Sequence, residues 1–461
     1  MLHVCYGNQL EVLADQLAEH LDSRAVGPLE PELIAVQGHA VSRWLALRLA
    51  TDRGISANNQ MLFPAELLWL LFRRVLPEDV PPFNGFSAQT LAWRVLALLQ
   101  SEQFGSGYAA LAHYLETASP ISQWQLAERL GRQFEQYLIY RPDWIHRWES
   151  GGDTHWQAAL WRRLLATGDD RHWLNLRARL VEVMAQEPAA ADRLPARISL
   201  FGLPSLSEVY LGILQTVAAY CDVRIYALNY SSVFWADIVS DKERTRRALS
   251  DQSGLADYME TGNSLLASLG RQGRAYFGQL LELDALDEEV FHPPVSNTLL
   301  GQIQSDIFYL REGGDEGAQR EVEPSDDSIQ IHVCHSPMRE VEVLHDRLLD
   351  QFDRQPDLDP AEVLVLVPDI ETYTAYIEAV FGSLTDDRRI PFRIADCGQS
   401  QRSSLIETFF ALLDMPFGRY DATGVSTPLF EPAIQKQFGL SGTDVDQILH
   451  WVREGGIRWG I

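Results

Sequence analysis

Thirty-six of the 38 basic side chains in this 461-residue chain are arginines, and the two lysines are Lys242 and Lys436. That shortage excludes two phosphate chemistries. A phosphate-binding loop, G-x-x-x-x-G-K-[ST], needs a lysine directly after glycine to reach the β- and γ-phosphates. Lys242 follows Asp241 and Lys436 follows Gln435. A nuclease centre of the PD…(D/E)-x-K kind needs a lysine two residues after an acid, and Ser240 and Ile434 stand there instead. There is also no G-x-S-x-G nucleophile elbow. Ile331-His332-Val333-Cys334-His335 holds metal-ligand types, but a strand puts His332 and Cys334 on one face and His335 on the other. No second ligand pair follows at a zinc spacing, so the segment reads as a strand end leading into a helix capped by Ser336 and begun by Pro337. Gly270-Arg271-Gln272-Gly273-Arg274 reads as a flexible basic loop able to touch phosphate.

The stronger constellation is aromatic and cationic. Nine of the 12 tryptophans fall between Trp44 and Trp173, interleaved with Arg73, Arg74, Arg141, Arg162, Arg163, Arg171, Arg177 and Arg179. Single-stranded nucleic acid needs planes for its bases and cations for its backbone. A tryptophan-rich helical core with a solvated arginine face gives the same composition, and composition alone favours that second reading. Charge narrows the location. Residues 1–250 hold 27 acids and 23 bases, a net of −4, whereas residues 251–461 hold 37 acids and 15 bases, a net of −22. An acidic field repels phosphate, so a nucleic-acid surface belongs in the first half.

The elements that must position these residues follow from periodicity. Residues 2–6 alternate like a strand, and Leu10, Leu13, Leu17 and Leu21 follow at helical spacing. Leu33–Val36 reads as a buried parallel strand, and the turn Gln37-Gly38-His39 leads into a helix from about Ala40 to Leu49. From Pro64 to about Gln186 the pattern becomes helix after helix: Leu67–Val75, Ala88–Leu99, Tyr108–Thr117, Gln123–Tyr140, Trp156–Ala166 and Leu174–Ala185. Ile198–Phe201, the helix Ser207–Tyr220 and Val223–Leu228 then return to strand, helix, strand. One α/β domain interrupted by a helical insertion is the economical reading. Residues 312–328 carry seven acids and no aliphatic pair, as a solvated linker does. Beyond it, Ile329–Cys334 and Val363–Val367 read as strands, with helices Arg339–Phe352 and Glu371–Phe381, opening a second parallel α/β domain. Cys5, Cys221, Cys334 and Cys397 lie far apart and read as buried thiols of a reducing compartment. The first arginine is Arg24, so no basic signal-peptide region precedes it, and no apolar run reaches the ~18–20 residues of a membrane span. The expectation is a soluble cytoplasmic protein.

Several segments resemble the RecC family, the gamma subunit of exodeoxyribonuclease V. They include Phe134–Trp144 (FEQYLIYRPDW), His332–Leu349, Asn229-Tyr230 through Ile238, Leu265–Ser268, Ile303–Ile307 and the final Gly456–Ile461. The resemblance implies an inactivated superfamily 1 helicase-like α/β fold. Its parallel-sheet domain 1A would be residues 1–62 plus 195–310, its all-helical insertion 1B residues 63–194, and an acidic linker 311–328. Residues 329–461 would start a second, incomplete parallel α/β domain, 2A. Family members are much longer, so only their N-terminal portion is expected here.

The resemblance also implies a function in double-strand break repair. Such a chain holds double-stranded DNA ends, helps split the strands and guides the 3′-ended single strand to a partner nuclease, scanning it for the Chi sequence. Its partners would be a RecB-type helicase/nuclease and a RecD-type helicase, with no membrane involved. No cofactor is implied in this chain, because ATP and magnesium belong to the partner subunits, and no catalytic residue is expected in it. Chi-scanning positions fall on Gln37, Trp69 and Arg141, which match the family pattern, and on Glu135, which stands where that pattern has aspartate. His39 and Arg43 occupy threonine and glutamine positions, Arg132 an aspartate position, and Trp173 lies at or near an arginine position. Direct readout depends on donor and acceptor geometry, so these departures imply a different or degenerate Chi. The alternative is an AddB-type or other inactivated-helicase scaffold acting only through protein–protein contact.

Overall fold

The structure is a computed structural model and describes all residues except 24–26, 28, 102–108, 167–169, 251–260, 314–319, 384–387, 396–402 and 460–461. Two compact units result, Met1–Ile329 and Gln330–Ile461.

Among the described residues the first unit is built on six strands: β1 (Leu2–Gly7), β2 (Glu32–Val36), β3 (Asn59–Leu62), β4 (Arg197–Phe201), β5 (Asp222–Leu228) and β6 (Leu286–Glu289). All neighbours are parallel, in the order β3-β2-β4-β5-β1-β6. The central strands are largely buried, as helices covering both sides require: β4 is buried along its whole length, its Arg197 and Ser199 included. Helices α1 (Leu10–Ser23) and α2 (His39–Arg53) follow β1 and β2. Leu13, Leu17, Leu45 and Leu49 seat them against Ile34, Val36 and Phe201.

Between β3 and β4 the chain leaves the sheet for seven α-helices among the described residues: α3 (Pro64–Val75), α4 (Ala88–Leu99), α5 (Ala109–Thr117), α6 (Pro120–Tyr140), α7 (Pro142–Glu149), α8 (Trp156–Ala166) and α9 (Trp173–Gln186). Most of the tryptophans here serve the core. Trp148 and Trp161 are fully buried, and both pack on Phe134. Helices α4 and α6 approach closely at Gly131, where an added Cβ would lie 2.5 Å from the carbonyl oxygen of Ala88. Helix α10 (Glu208–Ala218) then bridges β4 to β5, and α11 (Asp241–Ser250), α12 (Ser264–Leu269), α13 (Arg271–Leu281) and α14 (Leu299–Phe308) complete the unit.

Some sequence expectations are corrected. Gly270–Arg274 is not a flexible loop but the start of α13, with Gly270 as its N-cap. Gly273 lets the helix pass Tyr230, which a Cβ would meet at 3.1 Å, and Arg274 is spent on the carbonyl of Ile238 and on Glu243. Ile329–Cys334 and Val363–Val367 are not strands. A strand exists only as a hydrogen-bonded pair, and neither segment has a pairing partner among the described residues. Val333 and Leu366 are instead 95% and 82% exposed. The second unit is therefore helical among the described residues. Helices α15 (Pro337–Arg354) and α16 (Ile370–Phe381) enclose a small core of Val341, Phe381 and Ile390. Ser336 caps α15, and Pro337 is its first residue, as read from the sequence. Cys5 and Cys221 are buried, whereas Cys334 is half-buried; Cys397 and Tyr108 lie outside the described residues. Residues 320–328 of the acidic stretch are mostly exposed yet tied to α14, through Arg320 to Asp306 and the Asp326 carboxylate to the Leu299 amide. No described helix is long and apolar enough to cross a membrane.

Candidate nucleic-acid interface

Ligands of open parallel sheets bind outside the carboxyl ends of the strands. In this sheet the ends of β2 and β3 open onto a cleft of about 780 Å³. Its walls include His39 and Ser42 from α2, Gln60 from β3, Phe63, and Glu66, Trp69, Arg73 and Arg74 from α3. Gln37 is exposed in the turn between Val36 and His39, both of which line the cleft. It does not cap α2, whose N-cap Gly38 brings no side-chain hydrogen bond. His39 sits edge-on to Phe63 at 5.0 Å. Arg43 lies one turn further along α2, on the same face as His39, and is exposed.

Trp69 forms the apolar wall. It is half-buried and packs on Trp173 with ring centroids 5.0 Å apart. Trp173 is only 4% exposed and is held between Trp69, Phe72 and Tyr210. A ring so enclosed cannot stack on a base, so its place is behind Trp69, whose plane it supports. The cleft is also electropositive. Arg43, Arg73 and Arg74 make no ion pair or hydrogen bond with any described residue. Most arginines elsewhere in this unit are paired: Arg48 with Asp15 and Asp52, Arg53 with Asp22, Arg179 with Asp79 and Glu182, Arg224 with Glu288. Glu66 is the one acid of the wall among the described residues, and one of its oxygens accepts the Phe63 amide at 2.9 Å.

The remaining sequence candidates lie on α6. Glu135 accepts the Ala88 amide at 3.1 Å, tying α6 to the first turn of α4. It also sits near Tyr210: burial first, then Tyr140 and Glu135, push that phenol up to about 12. Arg132 is exposed and paired with Glu128 one turn away. Arg141 owes its position to Pro142, which ends α6 and opens α7, leaving Arg141 at φ −137° between them. It lies over the Trp144 ring at 3.9 Å and bonds Asp143 at 3.3 Å, and these hydrogen bonds hold the Asp143 carboxyl below its usual range. The structure thus gathers His39 and Trp69 at one cleft, with Trp173 behind Trp69 and Gln37 and Arg43 beside the cleft, and sets Glu135, Arg132 and Arg141 along or at the end of α6. Ser42 and Gln60 were not singled out from sequence, whereas Arg73 and Arg74 belong to the arginines that the sequence interleaves with tryptophans. Gln60 had no readable element around it, because β3 (NQML) is short and polar.

An all-parallel α/β sheet of helicase-like type, carrying a helical insertion and no phosphate-binding loop, is the class these features define. The chain belongs to the RecC family: the family described as "RecC, N-terminal domain" matches residues 2–310, and "RecBCD enzyme subunit RecC fourth domain" matches residues 402–461. It is similar over its whole length to the RecBCD enzyme subunit RecC of Escherichia coli, at 34% identity covering 45% of that protein. Similarity to the subunit RecC of Haemophilus influenzae is 32% over 46% of that protein, and to that of Mycolicibacterium smegmatis 29% over 43%. The chain therefore spans under half the length of these curated relatives.

Proposed function

We propose that this chain is a non-catalytic DNA-handling part of a RecBCD-type helicase–nuclease, working with RecB-type and RecD-type partners in recombinational repair. It holds the duplex end, helps separate the strands and guides the 3′-ended strand, ATP hydrolysis and cutting being left to the partners. The observation that carries this reading is the cleft at the ends of β2 and β3. There a half-exposed tryptophan stands beside arginines that no described carboxylate neutralises. A splayed single strand offers bases to Trp69, base edges to Gln37, His39 and Gln60, and phosphates to Arg43, Arg73 and Arg74. The absence of lysine at any phosphate-loop position fits a strand guide better than a motor.

Chi scanning with altered readout is the finer part of the proposal. His39 and Arg43 present donors and ring edges different from the threonine and glutamine of the enterobacterial pattern, so the preferred octamer differs. The test is the assembled complex on a duplex whose 3′-tail carries 5-bromouracil. Irradiation is expected to give adducts on α2 and α3, Trp69 among them; adducts confined to the partners would overturn the strand-guide reading. Full attenuation by the enterobacterial Chi octamer in an unwinding assay would overturn the altered readout.

A further inference from the structure

Helix α9 begins at His172, a fully buried residue at its N-cap whose side chain caps nothing. The ring is instead wedged edge-on to Phe86 at 5.3 Å and against Trp161 at 5.7 Å. Its Nε2 donates to Oε1 of Glu149, the last residue of α7, at 2.9 Å. The same oxygen accepts the indole N–H of Trp161 at 3.1 Å. Burial pushes the Glu149 carboxyl up, and the hydrogen bonds from His172 and Trp161 together with the electrostatic attraction of His172 and His146 outweigh it, holding the carboxyl below its ordinary value. One carboxylate therefore ties the end of α7, the middle of α8 and the start of α9 to one another.

Stability alone is a poor reason for this arrangement. A buried polar cluster is commonly no more stabilising than apolar packing of equal volume, and His172 Nδ1 has no hydrogen-bond partner among the described residues. Serine, threonine, aspartate or asparagine would also have capped the helix better. What the cluster supplies is direction, because hydrogen bonds fix a ring where apolar contacts allow it to slide. The next residue in the chain is Trp173, which packs among a separate set, Phe72, Tyr210 and Trp69.

We propose that His172 and Glu149 are positioning residues for strand binding: by fixing the first turn of α9 they set Trp173, and through it the plane that Trp69 offers to a base. This rests on Trp69 being a strand contact, as proposed above. The test is a double-mutant cycle in the assembled complex, read as the Kd for a fluorescently labelled 3′-tailed duplex. His172→Gln is expected to weaken binding about fivefold, a part of what one stacked base contributes, and to add nothing in a Trp69→Leu background. Glu149→Gln keeps both hydrogen bonds and is expected to bind like wild type, whereas Glu149→Leu falls with His172→Gln. Should His172→Gln fail to assemble, the pair His172→Asn with Glu149→Gln gives the helix a cap and leaves no unpaired charge, and enters the same cycle. An equal loss in both Trp69 backgrounds, or no loss in either, overturns the positioning role while leaving Trp69 as a contact. A Trp69→Leu variant that binds like wild type overturns the contact itself, and the positioning role with it.

Discussion

At the scale of single residues, the cleft separates a ring that touches from a ring that supports. Trp69→Ala is expected to lower strand affinity by roughly 1–3 kcal/mol, the worth of one stacked base, with a smaller fall in melting temperature than a fully buried ring would give. Trp173→Ala empties a buried site, and should cost about 3–5 kcal/mol of stability besides binding. Calorimetry and binding titrations on the two variants distinguish them, and equal melting points would contradict the assignment. Arg73→Ala and Arg74→Ala should each reduce the slope of log affinity against log salt by roughly 0.7, the signature of one lost phosphate contact on a single strand. An unchanged slope means the guanidinium does not meet phosphate. Sequence could show that tryptophans and arginines were interleaved here, but not which ring was outermost. That depends on which side of α9 meets Phe72 and Tyr210, side chains 101 and 37 positions away in sequence and legible only in space.

Elements were legible in proportion to how much apolar surface they bury. Strands β1, β2, β4 and β5 announce themselves as apolar or alternating runs, and helices α4 and α8 begin and end where their periodicity does. The edge strands β3 (NQML) and β6 (LDEE) carry no such run, since each has a sheet neighbour on one side only, and they were missed. Ile329–Cys334 and Val363–Val367 show the converse, strand-like composition without the pairing that makes a strand. Two predictions belong at this scale. Gly131→Ala should destabilise the α4–α6 contact by about 1–3 kcal/mol, as overpacking does, because the clash is with backbone; denaturant midpoints check it. At the end of α1, His20 is buried near Asp222, and burial, then Arg224, lowers its pKa to about 4. In the unfolded chain it takes a proton near 6.5. Folding therefore excludes that proton, so stability is greatest above about pH 6.5 and declines as pH falls toward 4. His20→Gln should flatten that part of the stability–pH curve; an unaltered slope would show that His20 does not contribute.

On the scale of the whole molecule, two units with separate cores are both acidic, and the cleft lies in the near-neutral stretch of the first, residues 1–250. Residues 1–329 expressed alone are expected to unfold in one transition at the denaturant midpoint seen for that unit in the full chain; a lower midpoint would reveal dependence on the second unit. The helical excursion between β3 and β4 has a further consequence, for how the protein is made. Strand β2 lies beside β4 in the sheet, and Arg197 of β4 clasps Glu32 of β2 across 165 positions of chain. At roughly 5–20 residues per second, a ribosome needs on the order of 10–30 s to deliver the second strand after the first. During that interval β2 has only β3 beside it and its other edge is open, while β1 has no sheet neighbour, because β5 and β6, the strands it pairs with, are not yet made. Seven helices have time to fold on their own before the sheet closes over them, so the insertion acts as a built-in delay, and the nascent chain is most exposed to aggregation and to chaperones just before Arg197 emerges.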